Sequence, residues 1–348
     1  MKIDDIAKLA NVSKSAVSIA LSGKPGVSQA TREKILKIVQ ETGYIPRTMV
    51  NANQVYKMNH IIRFVAVVDT GFMVEQYNKQ PFFMELIQHL ENKCRDRGYS
   101  LLFSKIDLSN FDHGLSLLKD DNSENSGIIL LGTNLNKEQM DKIAAVQPNI
   151  VVIDNLIEEL HMDFVVMNNL KGVYEACEHL VSKGHKRIGY VKSKYRIHNF
   201  ESRRQGFLLA KEKLNFDSPS YLEFELSPEI LTKQDMLLDQ LNELKKEGHE
   251  LPTALFCEND YLAISVIKTL MSEGIRVPEH ISVVGFDNIT ESLIISPELT
   301  TVHVEKETMA QLALDKLIQK INNPKDVALK MIVDTKLIQR KSVKKLKN

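Results

Sequence analysis

Between residues 61 and 286, short apolar runs alternate with longer amphipathic ones, and this alternation constrains the fold more than any other feature. The apolar runs cover residues 64–68, 100–103, 127–131, 150–153, 164–167, 187–191, 221–226, 253–257 and 282–286. Between them, residues 81–97, 114–119, 137–146, 170–184, 203–213, 233–248 and 260–274 carry apolar side chains at helical spacing. Strands that alternate with helices predict βαβ units and parallel sheets. The rhythm restarts near residue 160, so two α/β units of similar size are expected. Ligands of such sheets bind beyond the carboxyl ends of the strands. The cleft between the two units is the natural small-molecule site.

The first 46 residues have a different texture. Ile3, Ile6, Leu9 and Ala10 recur at helical spacing and predict one apolar face. Asn11 suits a tight turn, because it tolerates left-handed backbone angles. Ser13 is placed to cap a helix starting at Lys14, in which Val17 and Leu21 face inward. Lys14, Ser15, Ser18 and Ile19 then point away, a small and basic face that fits a DNA major groove. A third helix follows Ser28 as N-cap, with Thr31-Arg32-Glu33-Lys34 and apolar Ile35, Ile38 and Val39, and Gly43 ends it. A solvated helical subdomain has the same periodicity, so the company of the third helix favours the helix-turn-helix reading. Residues 47–59 are polar and read as a linker, because an isolated helix of that length is marginal in water.

The net charge of zero hides an asymmetry. Residues 1–60 hold nine basic and four acidic side chains, a net of +5, and the rest holds 36 and 41, a net of −5. A basic end on an acidic body suggests a polyanionic partner for the front segment alone. The three cysteines, Cys94, Cys177 and Cys257, are far apart and predict reduced thiols in a cytoplasmic protein. Asp4 and Asp5 lie where a signal peptide would be basic and then apolar, so none is expected. No apolar run is long enough to span a bilayer. A catalytic reading finds no G-x-G-x-x-G after a strand, no P-loop and no G-x-S-x-G, and His179 and His185 have no third metal ligand near them in sequence.

Several stretches together resemble the LacI/GalR family of bacterial transcriptional regulators, along nearly the whole chain. At the front they are Ile3-Asp4-Asp5-Ile6-Ala7-Lys8-Leu9-Ala10, Val12-Ser13, Val17-Ser18, Val27-Ser28, Thr31-Arg32-Glu33-Lys34-Ile35-Leu36 and Gly43-Tyr44-Ile45-Pro46. In the body they are Pro81-Phe82-Phe83, Gly184-His185-Lys186-Arg187-Ile188, Arg203-Arg204-Gln205-Gly206-Phe207 and Asn259-Asp260. Residues 277–288, Leu299-Thr300-Thr301-Val302 and Leu337-Ile338-Gln339-Arg340 complete the set. The resemblance implies an all-α helix-turn-helix domain in residues 1–46, a hinge in 47–59 and a periplasmic-binding-protein-like core in 60–340, followed by a basic tail, 341–348. It implies three crossings between core subdomains, the first about residues 61–159 and 290–321, the second about 160–289 and 322–340. It further implies a homodimer on double-stranded, pseudo-palindromic operator DNA. A small-molecule effector in the cleft, a sugar or sugar phosphate, would control operator affinity without a cofactor or metal.

The resemblance also assigns sites. Lys14 and Ser15 sit where the family reads bases, and Ser18, Ile19, Ser28, Thr31 and Arg47 join them as DNA contacts. Many relatives carry Arg where Ile19 stands, so a different operator is expected. The family's minor-groove Leu is replaced by Asn53, which lacks an apolar wedge, and Val55 is the alternative in a shifted register. Arg203 and Asp287 match the effector-binding Arg and Asp, with donors and an acceptor suited to vicinal hydroxyls. Phe82, Asn169 and Asn259 match further contacts, although a ring before a helix also suits a core and Asn before a helix also serves as its cap. The segment 75–80 is a further candidate lining. Residues 340–348 lack apolar heptads, so assembly is expected to stop at the dimer. A fragment starting at Asn59 is expected to dimerise and bind effector but to lose the operator. A gel shift in which that fragment keeps sequence-specific DNA binding refutes the assignment of the front segment.

Overall fold

The computed structural model describes residues 3–21, 26–42, 61–69, 80–119, 126–228 and 233–346. The chain divides into a helical head and an α/β body. In the head, α1 (Ile3–Ala10), α2 (Lys14–Leu21) and α3 (Gln29–Thr42) enclose a core of Ile6, Ala7, Ala10, Val17, Ala20 and Ile35. Asn11 ends α1 with φ 53°, its N–H bonded to the Lys8 carbonyl. Ser13 Oγ accepts from Ala16 N at 3.1 Å and Ser28 Oγ from Thr31 N at 3.2 Å, so both serines cap the helices that follow them. One inward residue was misplaced: Leu9 is 55 % exposed. Ala7 takes its place, because the buried stripe of α1 runs through Ile6, Ala7 and Ala10.

The body contains two six-stranded sheets. The strands are β1 (Ile61–Val68), β2 (Ser100–Asp107), β3 (Gly127–Leu131), β4 (Ile150–Ile153), β5 (Asp163–Met167), β6 (Ile188–Ser193), β7 (Glu223–Leu226), β8 (Ala254–Cys257), β9 (Ser282–Asp287), β10 (Thr300–Val304), β11 (Lys330–Val333) and β12 (Thr335–Ile338). The first sheet runs β11-β5-β4-β3-β1-β2 and the second β12-β10-β9-β8-β6-β7. β10 and β12 pair antiparallel, and β9 pairs with β10 and β8 in parallel. Strands β3, β4 and β5 are buried at every residue, as expected where helices cover both faces of a parallel sheet. Edge strand β11 alternates between exposed and half-buried instead, and edge strand β2 is mostly exposed, with Ile106 buried.

The helices of the body are α4 (Pro81–Asp96), α5 (Phe111–Lys119), α6 (Lys137–Val146), α7 (Asn169–Ser182), α8 (His198–Leu214), α9 (Asp235–Lys246), α10 (Asp260–Ser272), α11 (Glu291–Ile294) and α12 (Lys306–Asn322). α12 covers β3, β4 and β5 and lies against α4, where Lys93–Glu307 and Arg97–Asp315 pair at 2.6 Å each.

Subdomain membership departs from the sequence expectation at three places. β5, placed in the second unit, belongs to the first sheet, where Asp163 accepts from Lys320 Nζ of α12 at 2.8 Å. β10, placed in the first unit, belongs to the second sheet. β11 returns to the first, paired with β5. The chain therefore changes sheet after β5, after β10 and between β11 and β12. Periodicity finds elements, but it carries no information about which sheet each one joins.

Residues 340–346 are not a loose basic tail. Arg340 donates to Asn288 Oδ1 at 2.6 Å and to the Leu299 carbonyl at 2.7 Å. Ser342 is fully buried between β9 and β10: its hydroxyl donates to the Val283 carbonyl at 2.5 Å and accepts from Thr300 N at 2.8 Å. His185 contacts the Lys344 carbonyl and Leu346 N donates to the Lys183 carbonyl. Ser342→Ala leaves the Thr300 N–H buried without that acceptor, which costs about 1–3 kcal/mol. Urea denaturation should show the loss as a lower midpoint at unchanged m-value. A midpoint equal to that of the parent chain contradicts the clasp.

Candidate effector cleft and DNA-reading helix

The carboxyl ends of β4 and β9 and the first turns of α4, α8 and α10 meet around a cavity of about 20 Å³. Its lining is Phe82, Phe83, Asp154, Ile197, Asn199, Phe200, Arg203, Tyr261 and Asp287. This volume is room for about one water and far below the roughly 300–1,000 Å³ of ligand sites, so a ligand needs the walls to part. Local sequence places each group. Pro81 opens α4 and puts Phe82 in its first turn. Asp287 closes β9 at φ 115°, a left-handed conformation that the surroundings must impose on a residue bearing a Cβ. Asp260 imposes much of it, accepting from Ile289 N at 2.9 Å and from Thr301 Oγ1 at 2.6 Å. Lys306, at the start of α12, adds a 3.0 Å bond to the Asp287 carbonyl.

Arg203 is 3 % exposed and committed on every side. Its Nε donates to Asn169 Oδ1 at 2.9 Å and its Nη1 to the Glu258 carbonyl at 2.6 Å. The guanidinium carbon lies 3.8 Å from the centre of the Phe286 ring. Nη2 lies 3.1 Å from Asp287 Oδ1. That contact is an ion pair by distance but not a directed hydrogen bond, and Asp287 Oδ1 is a buried acceptor with no hydrogen-bond donor. Asn169 hands the network on, donating to Asn199 Oδ1 at 2.9 Å.

Asn199 and Tyr261, on helices of the second sheet, reach groups that belong to the first. Asn199 Nδ2 donates to Asp154 Oδ1 at 2.7 Å and to the Asp154 carbonyl at 2.9 Å. Thr133 Oγ1 donates to Asp154 Oδ2 at 2.5 Å, and Phe82 N donates to Tyr261 OH at 3.1 Å. Burial pushes the Asp154 carboxyl up to about 7, against the Thr133 bond and the Arg203 charge. Burial also raises Asp260, to about 8, with the Asp287 carboxylate adding to it. Asp287 is raised by burial and held back chiefly by Arg203 and Lys306.

In the head, Lys14, Ser15 and Ser18 are exposed on α2, and Ile19 is half-buried, with its side chain against Gly26. Ser15 Oγ is 2.9 Å from Ser13 Oγ, and Ser28 Oγ is 2.8 Å from Thr31 Oγ1. A short helix whose outward residues are small and basic suits entry into a major groove.

Known proteins carry both arrangements. Residues 2–47 match the family described as "Bacterial regulatory proteins, lacI family", and residues 177–343 match "Periplasmic binding protein-like domain". The chain is 30 % identical over 351 residues to the HTH-type transcriptional repressor PurR of Aliivibrio salmonicida, covering 99 % of each sequence. The chain belongs to the lacI family. The ribose operon repressor of Haemophilus influenzae is 28 % identical over 349 residues, 99 % of this chain and 98 % of the relative. The lac repressor dimer bound to operator and the anti-inducer ONPF has the same fold, with TM-score 0.69 at 21 % identity over 99 % of both chains. This lacI-family chain is thus a transcriptional regulator and not an enzyme.

Of the sequence-predicted effector residues in this lacI-family chain, Phe82, Arg203 and Asp287 converge on the cavity. Asn169 stands behind Arg203 and touches the cavity through it. Asn259 accepts from Leu262 N at 3.0 Å, so its side chain caps α10. Arg47, Asn53, Val55 and most of segment 75–80 lie outside the described residues. Sequence reasoning missed Asp154, Asn199, Thr133 and Tyr261. Asp154 had a signal, an acid directly after the apolar run 150–153, at the carboxyl end where ligands bind.

Asp154 and Asp260 set a pH dependence. Both keep protons in the folded chain at pH values where the unfolded carboxyls, with an ordinary value of 3.8, have lost them. Stability then falls as pH rises through the interval between the unfolded and folded values. The melting temperature is expected to drop between about pH 5 and pH 8, and Asp154→Asn should flatten that slope. An unchanged slope in the variant excludes Asp154 as a source.

Proposed function

We propose that this lacI-family regulator is a homodimeric repressor that binds operator DNA through residues 1–46. A small molecule in the cleft between the two sheets sets its operator affinity. The observation that carries the reading is the buried Arg203–Asp287 ion pair, 3.1 Å apart, in a cavity whose walls come from both sheets. A ligand shifts a conformational equilibrium only through different affinities for its two states. One that bridges groups on both sheets has such a difference, because rotating one sheet against the other breaks the bridge. Residues 47–59 would pass that rotation to the paired heads and change whether both fit their half-sites.

The relatives support a small metabolite as effector. They include a transcriptional repressor named PurR and a ribose operon repressor, and a similar fold appears in a CelR–cellobiose complex. In the head, Lys14 and Ser15 are assigned to base reading, with Ser18, Ile19, Ser28, Thr31, Arg47 and Asn53 as further contacts. A binding receptor without DNA function is disfavoured by the capped helices of the head and by its net charge of +5.

Operator titration with and without effector tests the division of labour. Asp287→Ala should keep operator affinity and lose the effector response. Lys14→Ala should lose roughly 1–3 kcal/mol of base discrimination and keep the response of the cleft. A normal effector response in Asp287→Ala refutes the cleft assignment.

A further inference from the structure

The two walls of the cleft are bonded directly to each other, and those bonds compete with any ligand. Asn199, on the wall of the second sheet, donates from Nδ2 to two acceptors of Asp154 at the end of β4: Oδ1 at 2.7 Å and the carbonyl at 2.9 Å. Asn199 Oδ1 accepts from Asn169 at 2.9 Å, so the amide has neither a hydrogen nor an oxygen to spare. The Asp154 carboxylate is committed in the same way, because Thr133 Oγ1 donates to its other oxygen at 2.5 Å. Two more bonds cross beside this pair. Phe82 N of α4 donates to Tyr261 OH of α10 at 3.1 Å. Thr290 Oγ1, between β9 and α11, donates to Glu85 Oε1 of α4 at 3.1 Å.

The space that these bonds leave decides what a ligand must do. A cavity of about 20 Å³ takes no metabolite, so this arrangement of the walls has essentially no affinity for one. A metabolite binds only where the walls have parted and Asn199 has left Asp154. A ligand shifts an equilibrium by its difference in affinity for the two states, and here that difference is nearly complete. Parting the walls is also within reach, because each broken hydrogen bond is largely replaced by water. Resting on the reading of this cleft as the effector site, we propose that Asn199 and Asp154 form a latch that holds the cleft shut, and that the effector acts by displacing this latch and selecting the open arrangement. Removing the latch then does part of the work of the effector.

The Phe82 amide reports the state of the cleft. Among the described residues its acceptor is the Tyr261 hydroxyl on the opposite wall, so parting the walls releases it to solvent. Two amides bonded within one wall serve as controls: Ser193 N on Glu258 Oε2 at 2.7 Å, and Leu329 N on Asp163 Oδ1 at 2.8 Å. Asn199→Ala removes the donor together with its volume, and Asn199→Leu removes the donor and keeps the volume. Hydrogen exchange on the full chain should be at least about 10-fold faster at Phe82 in both variants, with Ser193 and Leu329 unchanged. Phe82 exchange equal to that of the parent chain overturns the latch. So does faster exchange at Phe82 and both controls together, which marks general loosening. Operator titration keeps failure of the latch apart from failure of the cleft reading. On duplex DNA selected from a random pool by the parent chain, both variants should change affinity at least about 10-fold with no ligand added. Faster exchange at Phe82 with unchanged operator affinity supports the latch and removes the control of operator affinity by the cleft.

Discussion

The guanidinium of Arg203 is the interaction on which the body depends. A buried charge is tolerated only when its partners surround it. Here the partners come from widely separated stretches: Asn169 at the start of α7, the Glu258 carbonyl after β8, and Asp287 at the end of β9. Satisfying one cation therefore fixes the carboxyl ends of the second sheet with respect to each other. Asn169 then passes the constraint to Asn199, and Asn199 passes it to Asp154 at the edge of the first sheet. The cleft is shaped by one hydrogen-bonded chain more than by its apolar walls.

That arrangement sets a conflict inside the site. The same burial that strengthens each contact raises the carboxyls of Asp154, Asp260 and Asp287. Stability is thus tied to the protonation of the same few groups.

Much of this was legible in the sequence, and the limits have physical reasons. The apolar runs that became β1, β3, β4 and β9 announced themselves because strands buried on both faces are nearly continuous apolar runs. Ser13, Asn11 and Ser28 announced the head because caps and left-handed turns have a narrow chemistry. Arg203 and Asp287 were legible through resemblance, and their convergence needed the fold. Asp154 and Asn199 are 45 residues apart and meet only because β4 ends and α8 begins on opposite sides of one cleft. Asn259 read equally well as ligand contact or cap, since the same side-chain oxygen serves either purpose. The exchange of β5, β10 and β11 between sheets was invisible, because pairing partners are chosen by tertiary packing.

The three changes of sheet bear on how the chain is made. The head has its own apolar core, and its helices precede every strand of the body in the chain. Neither sheet of the body is in that position. The first lacks its outer strand until residue 333 has been synthesised, and β3, β4 and β5 lack the cover of α12 until residue 322. The second sheet waits for residue 338, and its clasp for Ser342. Throughout most of translation a finished DNA-reading domain is therefore tethered to a body with bare strands. Such surfaces invite wrong partners. Each sheet is complete only once its far-removed strand has been made, β11 for the first and β12 for the second.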